Sequence, residues 1–597
     1  MSLKQHAATL FERIAAMLEL LGEDKFRVNA HARAARALES HPGELEDIAS
    51  DHAALEAIPG VGKKMAAKIT ELSNTGTIKE HDDLAARVPA SLVALLDIPG
   101  LGPKTVKLLW DELGVTDLPG LERALADGSF LTLPRTGQKT ADKITSAIAF
   151  MKTSSQRLSL GLAMPVAERF IAHMQSCPAV TRVAFAGSLR RGRDTIGDID
   201  ILAVATDPEA ASAHFLAEPS ITETLAQGAS KTSARAHLFV DGGRWKGEAV
   251  GQVQVDLRLV PEASWGAALM YFTGSKDHNV RLRERALRQR LTLNEYGLYP
   301  NDDDPTPPHQ RDVKPVAGAS EEEVYKALGL PYLPPEIRED IGELELTATP
   351  ALIEPADIKA ELHAHTTASD GHMSLDQLIE RAIARGFHTI AVTDHSRSSA
   401  QANGLSVERL REQRRDIEAA RERFKGKITI LCGSEVDILA DGSLDYDDDV
   451  LTELDLVVAS PHVALAQDAA TATARLLRAI EHPLVHIIGH PTGRLINRRA
   501  GLEPAMPELV AAARQHNVAL EINCHWMRLD LRDTHVRLAA EAGALIAIDC
   551  DVHAPDEFDN LRYGVLTARR GFLPPEQCIN TWPQARLAAW IASKRTR

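Results

Sequence analysis

Two groups of residues in this 597-residue chain have the types and spacing that chemistry needs. The first lies in "GSLRRGRDTIGDIDIL", residues 187–202, where Gly187 and Ser188 precede Arg190, Arg191 and Arg193 and then Asp198 and Asp200. Residues two apart on a strand face the same way, so Asp198 and Asp200 project together while Ile199 and Ile201 point into the core. "VQVDLRLV" (253–260) repeats the alternation, with Gln254, Asp256 and Arg258 on one face. If the two strands are neighbours, three carboxylates converge, and their repulsion calls for divalent cations. Two such ions activate an attacking hydroxyl and support a leaving pyrophosphate. Gly187, Ser188 and Arg191 would then hold a triphosphate. Read alone, an Asp-x-Asp strand is an ordinary solvent face or charged hairpin. The Gly-Ser turn at its distance upstream favours the chemical reading.

The second group occupies residues 358–597, where one apolar strand after another ends in a metal-ligand type. His363 and His365 close "IKAELHAH", with Asp370 in the following loop; Asp394 and His395 close "TIAVTDHS". Glu435, His462, His490, then Glu521 with Asn523, and finally Asp551 with His553 follow at later strand ends. Seven strands ending this way describe a βα barrel with its chemistry at the C-terminal rim. Burying these histidines and acids together is costly unless metals bind them. Nitrogen and oxygen ligands without cysteine suit Zn²⁺, Mn²⁺ or Fe²⁺ in a hydrolytic site better than a structural zinc. His482 and His486 precede a strand end and read as structural. Cys524 and Cys550 read as packed free thiols.

The elements that position these groups change along the chain. Residues 1 to about 150 are helical in pattern, strands run from Val183 to about Val260, and mixed helix and turn fill 263–345. "LTATPALIEPAD" (346–357) reads as a proline-containing linker. "IPGVGKKMAAKI" (58–69) recurs as "IPGLGPKTVKLL" (98–109), and faintly as "LPRTGQKTADKI" (133–144). Gly60, Gly62, Gly100 and Gly102 permit tight turns that leave backbone N–H groups free at a helix start bearing Lys64 or Lys104. The repeat resembles the helix-hairpin-helix, which grips a DNA backbone without reading bases. Lys64 and Lys68 share a helix face; either a solvated lysine stripe or a phosphate-binding and Schiff-base pair fits that spacing.

Composition narrows the class. No apolar run reaches the roughly 20 residues of a membrane span, and the amphipathic, acid-bearing N-terminus does not read as a signal peptide. Five scattered cysteines without a C-x-x-C pair point to reduced thiols in a cytoplasm. The net charge of −16, spread over both halves, argues against a basic arm but not against a local groove or metal-mediated phosphate contact.

"GSLRRGRDTIGDIDIL", "VDLRLVP" and "YFTGSKDHNVRLRERA" (271–286), preceded by the hairpins, resemble a DNA polymerase beta-like family X DNA polymerase over residues 1–340. The histidine-rich strand ends resemble the PHP (polymerase and histidinol phosphatase) domain, and the two together are the layout of the bacterial family X enzymes. The resemblance implies a multidomain α/β chain: a helical lyase-like domain with a helix-hairpin-helix at 1–82 and fingers with a second at 83–152. A nucleotidyltransferase palm with mixed β-sheet spans 153–262, a thumb 263–345, the linker 346–357 and a distorted (βα)7 PHP barrel 358–597. It implies catalysis by Asp198, Asp200 and Asp256 with Mg²⁺ or Mn²⁺, Asp256 being the base for a primer 3′-hydroxyl. Nucleotide contacts fall to Gly187, Ser188, Arg191, Tyr271, Phe272, Gly274, Lys276 and Asn279. DNA contacts fall to Gly60, Gly62, Lys64, Lys68, Gly100, Gly102, Lys104, Arg258 and Arg283. Lys68 aligns with the family's Schiff-base lysine, although His31 stands where an aromatic residue is expected. Lys276 replaces an acid beside the incoming base. In the barrel the resemblance assigns about three metals (Zn²⁺ or Mn²⁺, with Fe²⁺ also compatible) to His363, His365, Asp370, His395, Glu435, His462, His490, Asp551 and His553. The expected function is a monomeric repair polymerase that fills short gaps with dNTPs, with a 3′→5′ exonuclease that also processes abasic sites or 3′-phosphates. The rivals are a small-molecule phosphatase and a DNA-end scaffold with vestigial sites.

Overall fold

The computed structural model of the chain describes residues 3–40, 45, 48–58, 60–98, 101–134, 136–138, 140–142, 144, 145, 148, 157–239, 249–302, 304, 306–311 and 313–594. They fall into two compact units, one of the residues up to 148 and one of those from 157 onward.

The first unit is helical, with no strand among its described residues. Phe11, Ile14 and Leu18 of helix Leu3–Leu20 pack with Ile69 and Leu72 of Lys63–Thr75 and with Val106 and Leu109 of Pro103–Leu113. One apolar core therefore runs across the expected boundary at residue 82. Gly62 and Gly102 are the N-caps of the two hairpin helices. Gly60 has φ +99°, and a Cβ there would lie 3.0 Å from Ala37 Cβ, so the first turn requires glycine. Gly100 lies outside the described residues, as do parts of the third repeat.

In the second unit a five-stranded sheet has the order Val180–Phe185, Ile199–Ala205, Ala249–Leu259, Lys231–Phe239, Ile221–Gln227. Only the pair Ile199–Ala205 and Ala249–Leu259 is parallel, and its register sets Asp200 opposite Asp256. Ile199, Ile201 and Ala203 pack with Val253, Val255 and Leu257 under helices Leu160–Gln175 and Pro208–Leu216. Leu202 and Val204, on the other face, meet Trp265, Ala268 and Leu269 of helix Trp265–Thr273. Helix Lys276–Arg288 and the hairpin Leu291–Asn294/Gly297–Pro300 complete the thumb-like part.

Residues beyond 358 form seven parallel strands in sequence order: Ala360–Glu361, Thr389–Val392, Thr429–Asp437, Leu456–Ser460, Ile487–Ile488, Ala519–Asn523 and Leu545–Asp549. A parallel bridge between Ala364 and Val552 joins first to last, nearly closing a barrel. Most connections are helices of ten or more residues, but the third and fourth strands are joined through only the four-residue Asp448–Leu451, which distorts the ring.

The segment 346–357 is not a loose tether. Leu352 packs into the thumb cluster and Ile353 into the barrel cluster. The palm core itself takes in Ile496, Leu529 and Tyr563 of the barrel. Two palm glycines make room for the contact: a Cβ at Gly161 would lie 2.3 Å from Trp526 Cβ, and one at Gly192 3.1 Å from Leu566 Cβ. Arg494 pairs with Asp194 at 3.0 Å and Arg562 with Glu168 at 2.8 Å across the same face. Proline content suggested freedom between the halves; the apolar residues between those prolines remove it. No helix among the described residues is long and apolar enough to cross a membrane.

Candidate active sites

One carboxylate oxygen from each of Asp198, Asp200 and Asp256 lies within 4.8 Å of the others. Asp198 is exposed at the residue before its strand, Asp200 is half-buried and Asp256 is buried. Burial first, then the Asp198 and Asp256 carboxylates, push the Asp200 carboxyl up to about 6. For Asp256 burial acts the same way, but bonds from Lys231, Ser233 and Gln254 outweigh it and hold the group below its ordinary value. Lys231 Nζ stands 2.7 Å from Asp256 Oδ2, and Gln254 Nε2 donates to Oδ1 at 3.0 Å. Three converging carboxylates beside one paired ammonium leave the negative charge that divalent ions neutralise, so the residues fit a metal pair. Gly187 completes the cradle: at φ +66°, a Cβ would lie 2.4 Å from Asp200 Oδ2. Lys231 was not foreseen, because only the sheet order brings its strand against Asp256.

The three arginines divide their work. Arg190 grips Glu321 with two bonds of 2.8 and 2.7 Å and donates to Thr273 Oγ1 at 2.8 Å; Arg338 reaches the same Glu321 at 2.6 Å. Arg191 donates through Nε to Glu339 at 3.0 Å and through Nη1 to the Thr273 carbonyl. Arg193 reaches Glu339 only at 3.9 Å. The turn after Thr273 brings the expected nucleotide residues close. Asn279 Nδ2 donates to the Tyr271 carbonyl at 2.7 Å, Tyr271 and Phe272 meet edge-to-face at 5.2 Å, and Gly274 has φ +72°. Ser188 is half-buried, and Lys276 and Arg283 are exposed on helix Lys276–Arg288. Arg258, expected at DNA, stacks over the Phe272 ring at 4.3 Å.

At the barrel rim eight of the nine expected ligands gather in three overlapping groups. These are His365, Asp370, His395 and His553; His363, His365 and Asp551; and His395, Glu435 and His462. The ninth, His490, donates from Nε2 to Glu435 at 2.9 Å. The first-to-last bridge explains why His363 and His365 meet Asp551 and His553. His363 Nε2, both ring nitrogens of His365, His395 Nδ1, Glu435 Oε2 and Asp551 Oδ1 are buried with no hydrogen-bond partner among the described residues, with His395 Nδ1 2.8 Å from Glu435 Oε2 and His365 Nε2 3.0 Å from Asp551 Oδ1. Orphaned polar atoms of this kind, all aimed into one cluster, are what metal ions satisfy, so these residues fit their group.

Burial alone would lower His363 and His462. The Glu521, Asp551 and Glu435 carboxylates instead raise His363 well above its ordinary value, and Glu435 and Asp437 lift His462 to about 9. His490, where burial wins, falls to about 3.

Residues behind the rim orient these ligands. Glu521 Oε1 bonds His363 Nδ1 at 2.6 Å, leaving Nε2 toward the cluster, and Asp437 does the same for His462 Nδ1. Asp394 ties down the Asp370 loop by accepting from the backbone N–H groups of Thr366 and Ser369. Sequence reading placed Glu521 at a strand end without a role and missed Asp437, two residues past Glu435 on the same strand. It also missed Arg528, whose Nε lies 4.0 Å from Asp551 Oδ2 and which donates no side-chain hydrogen bond among the described residues. His482 contacts Asp448 at 3.1 Å and all five cysteines are buried and free, in keeping with structural roles.

In the helical unit Lys64 and Lys104 are exposed at the second position of their helices. Lys68 is not an open nucleophile. Its Nζ contacts Glu80 and lies 2.5 Å from His31 Nε2, and Arg27 pairs with Glu80 at 2.6 Å.

The geometry defines a class: a nucleotidyltransferase-type palm fused to a metal-binding βα barrel. Family models agree. A helix-hairpin-helix domain matches residues 2–78, a SAM-like helix-hairpin-helix tandem 92–149, the DNA polymerase beta thumb 268–339 and the PHP domain 361–525. The DNA polymerase/3′-5′ exonuclease PolX of Bacillus subtilis is 36% identical over 578 residues, 97% of each chain. The chain belongs to this PolX family of PHP-bearing family X polymerases. DNA polymerase lambda of Rattus norvegicus is 27% identical over 56% of each chain. A probable phosphatase of Edwardsiella ictaluri is 29% identical over 38% of this chain and 90% of its own.

Proposed function

We propose that the protein is a DNA-directed DNA polymerase that fills short gaps in repair and carries a 3′→5′ exonuclease in its PHP barrel. The observation that carries the polymerase half is the Asp200–Asp256 register, which draws three carboxylates together under the Gly187 turn. Asp198, Asp200 and Asp256 would hold Mg²⁺ or Mn²⁺, and the nine rim residues Zn²⁺, Mn²⁺ or Fe²⁺. Bound there, divalent ions lower the pKa of an attacking hydroxyl or water and offset charge on the leaving group.

The chain's own groups do the rest. Asp256 accepts the primer 3′-hydroxyl proton, and Ser188 and Arg191 hold the triphosphate. Tyr271, Phe272 and Gly274 shape the floor under the sugar, and Asn279 lies against it through the Tyr271 carbonyl. Lys276 and Arg283, exposed on one helix, meet the incoming base and the template. Gly62, Lys64, Gly102 and Lys104 take backbone phosphates at helix starts. At the rim Arg528 supplies a cation for the phosphodiester, while Glu521 and Asp437 fix the imidazoles they touch. Lys68 would reach an abasic sugar or a phosphate only once its pair with Glu80 opens.

The test is a gapped duplex with both reactions read in parallel. Asp198→Ala with Asp200→Ala abolishes primer extension and spares 3′-end degradation; His363→Ala with His365→Ala does the reverse. Extension surviving the aspartate changes, or both activities vanishing together in either variant, overturns the assignment. Likeness to a probable phosphatase over nearly all of that protein's length favours a second substrate for the barrel, the 3′-phosphate. A duplex ending in 3′-phosphate tests it.

A further inference from the structure

Arg191 is not held by the palm alone. Helix Leu561–Arg570 of the barrel ends on Arg570, which is buried against the palm. Its Nε donates to Asp533 at 2.8 Å, and its Nη1 lies 2.8 Å from the Arg191 carbonyl, 3.2 Å from that of Glu336 and 2.9 Å from Glu339 Oε1. The same Glu339 oxygen accepts from Arg191 Nε at 3.0 Å. One carboxylate oxygen thus sits between an arginine of the hydrolase barrel and an arginine of the nucleotide pocket.

Resting on the reading of Arg191 as a triphosphate contact, we infer that Arg570 and Glu339 are positioning residues for nucleotide binding, so that the PHP barrel is a working part of the polymerase's dNTP site. A guanidinium has five N–H donors. Arg191 commits one to Glu339 and one to the Thr273 carbonyl, which fixes its plane and leaves the others for phosphate oxygens. A Cβ on Gly274 would lie 3.1 Å from Arg191 Nη1, so the turn confines the group from a further side. Fixing a long side chain before the ligand arrives removes an ordering cost that binding would otherwise carry.

Charge makes the barrel's contribution specific. Glu339 orients Arg191 only while the carboxylate is itself held. Arg570 shares that carboxylate and so keeps it in place, while its bond to the Arg191 carbonyl pins the backbone. Removing Arg570 therefore frees both Glu339 and the backbone that carry Arg191. Both changes weaken dNTP binding.

The experiment measures dNTP KM and kcat on gapped DNA, dNTP binding by fluorescence titration, and 3′-end degradation, for wild type, Arg191→Ala, Arg570→Gln and Glu339→Gln. Arg570→Gln should raise dNTP KM and Kd about tenfold with kcat changed less than about threefold, as for lost ground-state positioning. Degradation should stay near wild type, because Arg570 lies outside the rim cluster. Should Arg570→Gln not fold, Glu339→Gln carries the test, with KM expected to rise about three- to tenfold as the two guanidiniums lose the charge between them. KM within twofold of wild type in the folded variant overturns the inference. If Arg191→Ala also leaves KM unchanged, the triphosphate reading of Arg191 is what has failed. If Arg191→Ala raises KM and Arg570→Gln does not, only the role of the barrel has.

Discussion

Single residues decide the chemistry here through partners that lie far away in sequence. Arg528 is the clearest case: a guanidinium 4.0 Å from Asp551, with no side-chain hydrogen bond of its own among the described residues, beside a cluster of metal-ligand types. A charge-assisted bond to phosphate is worth roughly 1.5–3 kcal/mol. Arg528→Ala should therefore lower kcat/KM for 3′-end degradation on the order of 10–100-fold. Primer extension and the metal content of the protein should not change. A loss of metal alongside the activity would show instead that Arg528 only stabilises Asp551. At this scale most of the polymerase site was legible, since Gly187, Asp198, Asp200 and Asp256 follow a spacing that strand geometry explains. Lys231, Arg528 and Asp437 were not. Each acquires its place from strand order or a rim loop, and nothing in its own neighbourhood of the sequence marks it.

Elements carry the next level, and the helix Lys276–Arg288 shows how. Its start is fixed by Ser275 Oγ, which accepts from His278 N at 3.2 Å, and its first turn by His278, buried between Glu343 at 2.6 Å and Tyr325 at 2.9 Å. Next to it, Glu321 receives Arg190 from the palm and Arg338 from the thumb. Burial alone would raise Glu321; the Arg338 and Arg190 guanidiniums override it and hold the carboxyl at about 2 against an ordinary 4.5. A group depressed on folding stabilises fully above its unfolded value and loses that contribution as pH falls through the folded one. Stability of the second unit should thus drop between about pH 4.5 and pH 2, by on the order of 3 kcal/mol from this group. In urea melts, Glu321→Gln should be less stable at neutral pH and flatter across that acid window. An equal acid loss in both proteins would remove Glu321 from the account. Periodicity showed helix and turn over this region and missed the hairpin Leu291–Asn294/Gly297–Pro300. It could not show a buried ion network, because charged residues in sequence look the same whether solvated or enclosed.

Across the whole molecule, the palm, thumb and barrel share cores that the sequence presented as separate machines. The segment 346–357 looked like a spacer because of Pro350 and Pro355, yet Leu352 and Ile353 between them decide its fate. Ile353→Ala should cost about 2–5 kcal/mol, as for other fully buried aliphatics. It should lower the midpoint of one cooperative transition covering both catalytic parts rather than uncouple them. Two separated transitions in calorimetry would contradict that view. The Gly161 and Gly192 surfaces also set a rule for inheritance. A barrel of this kind cannot be grafted onto another palm as an independent cassette unless the recipient leaves the same hollows for Trp526 and Leu566. A lineage that lost the barrel would have to rebuild the palm surface beneath it, starting where Gly161 and Gly192 now make room for Trp526 and Leu566.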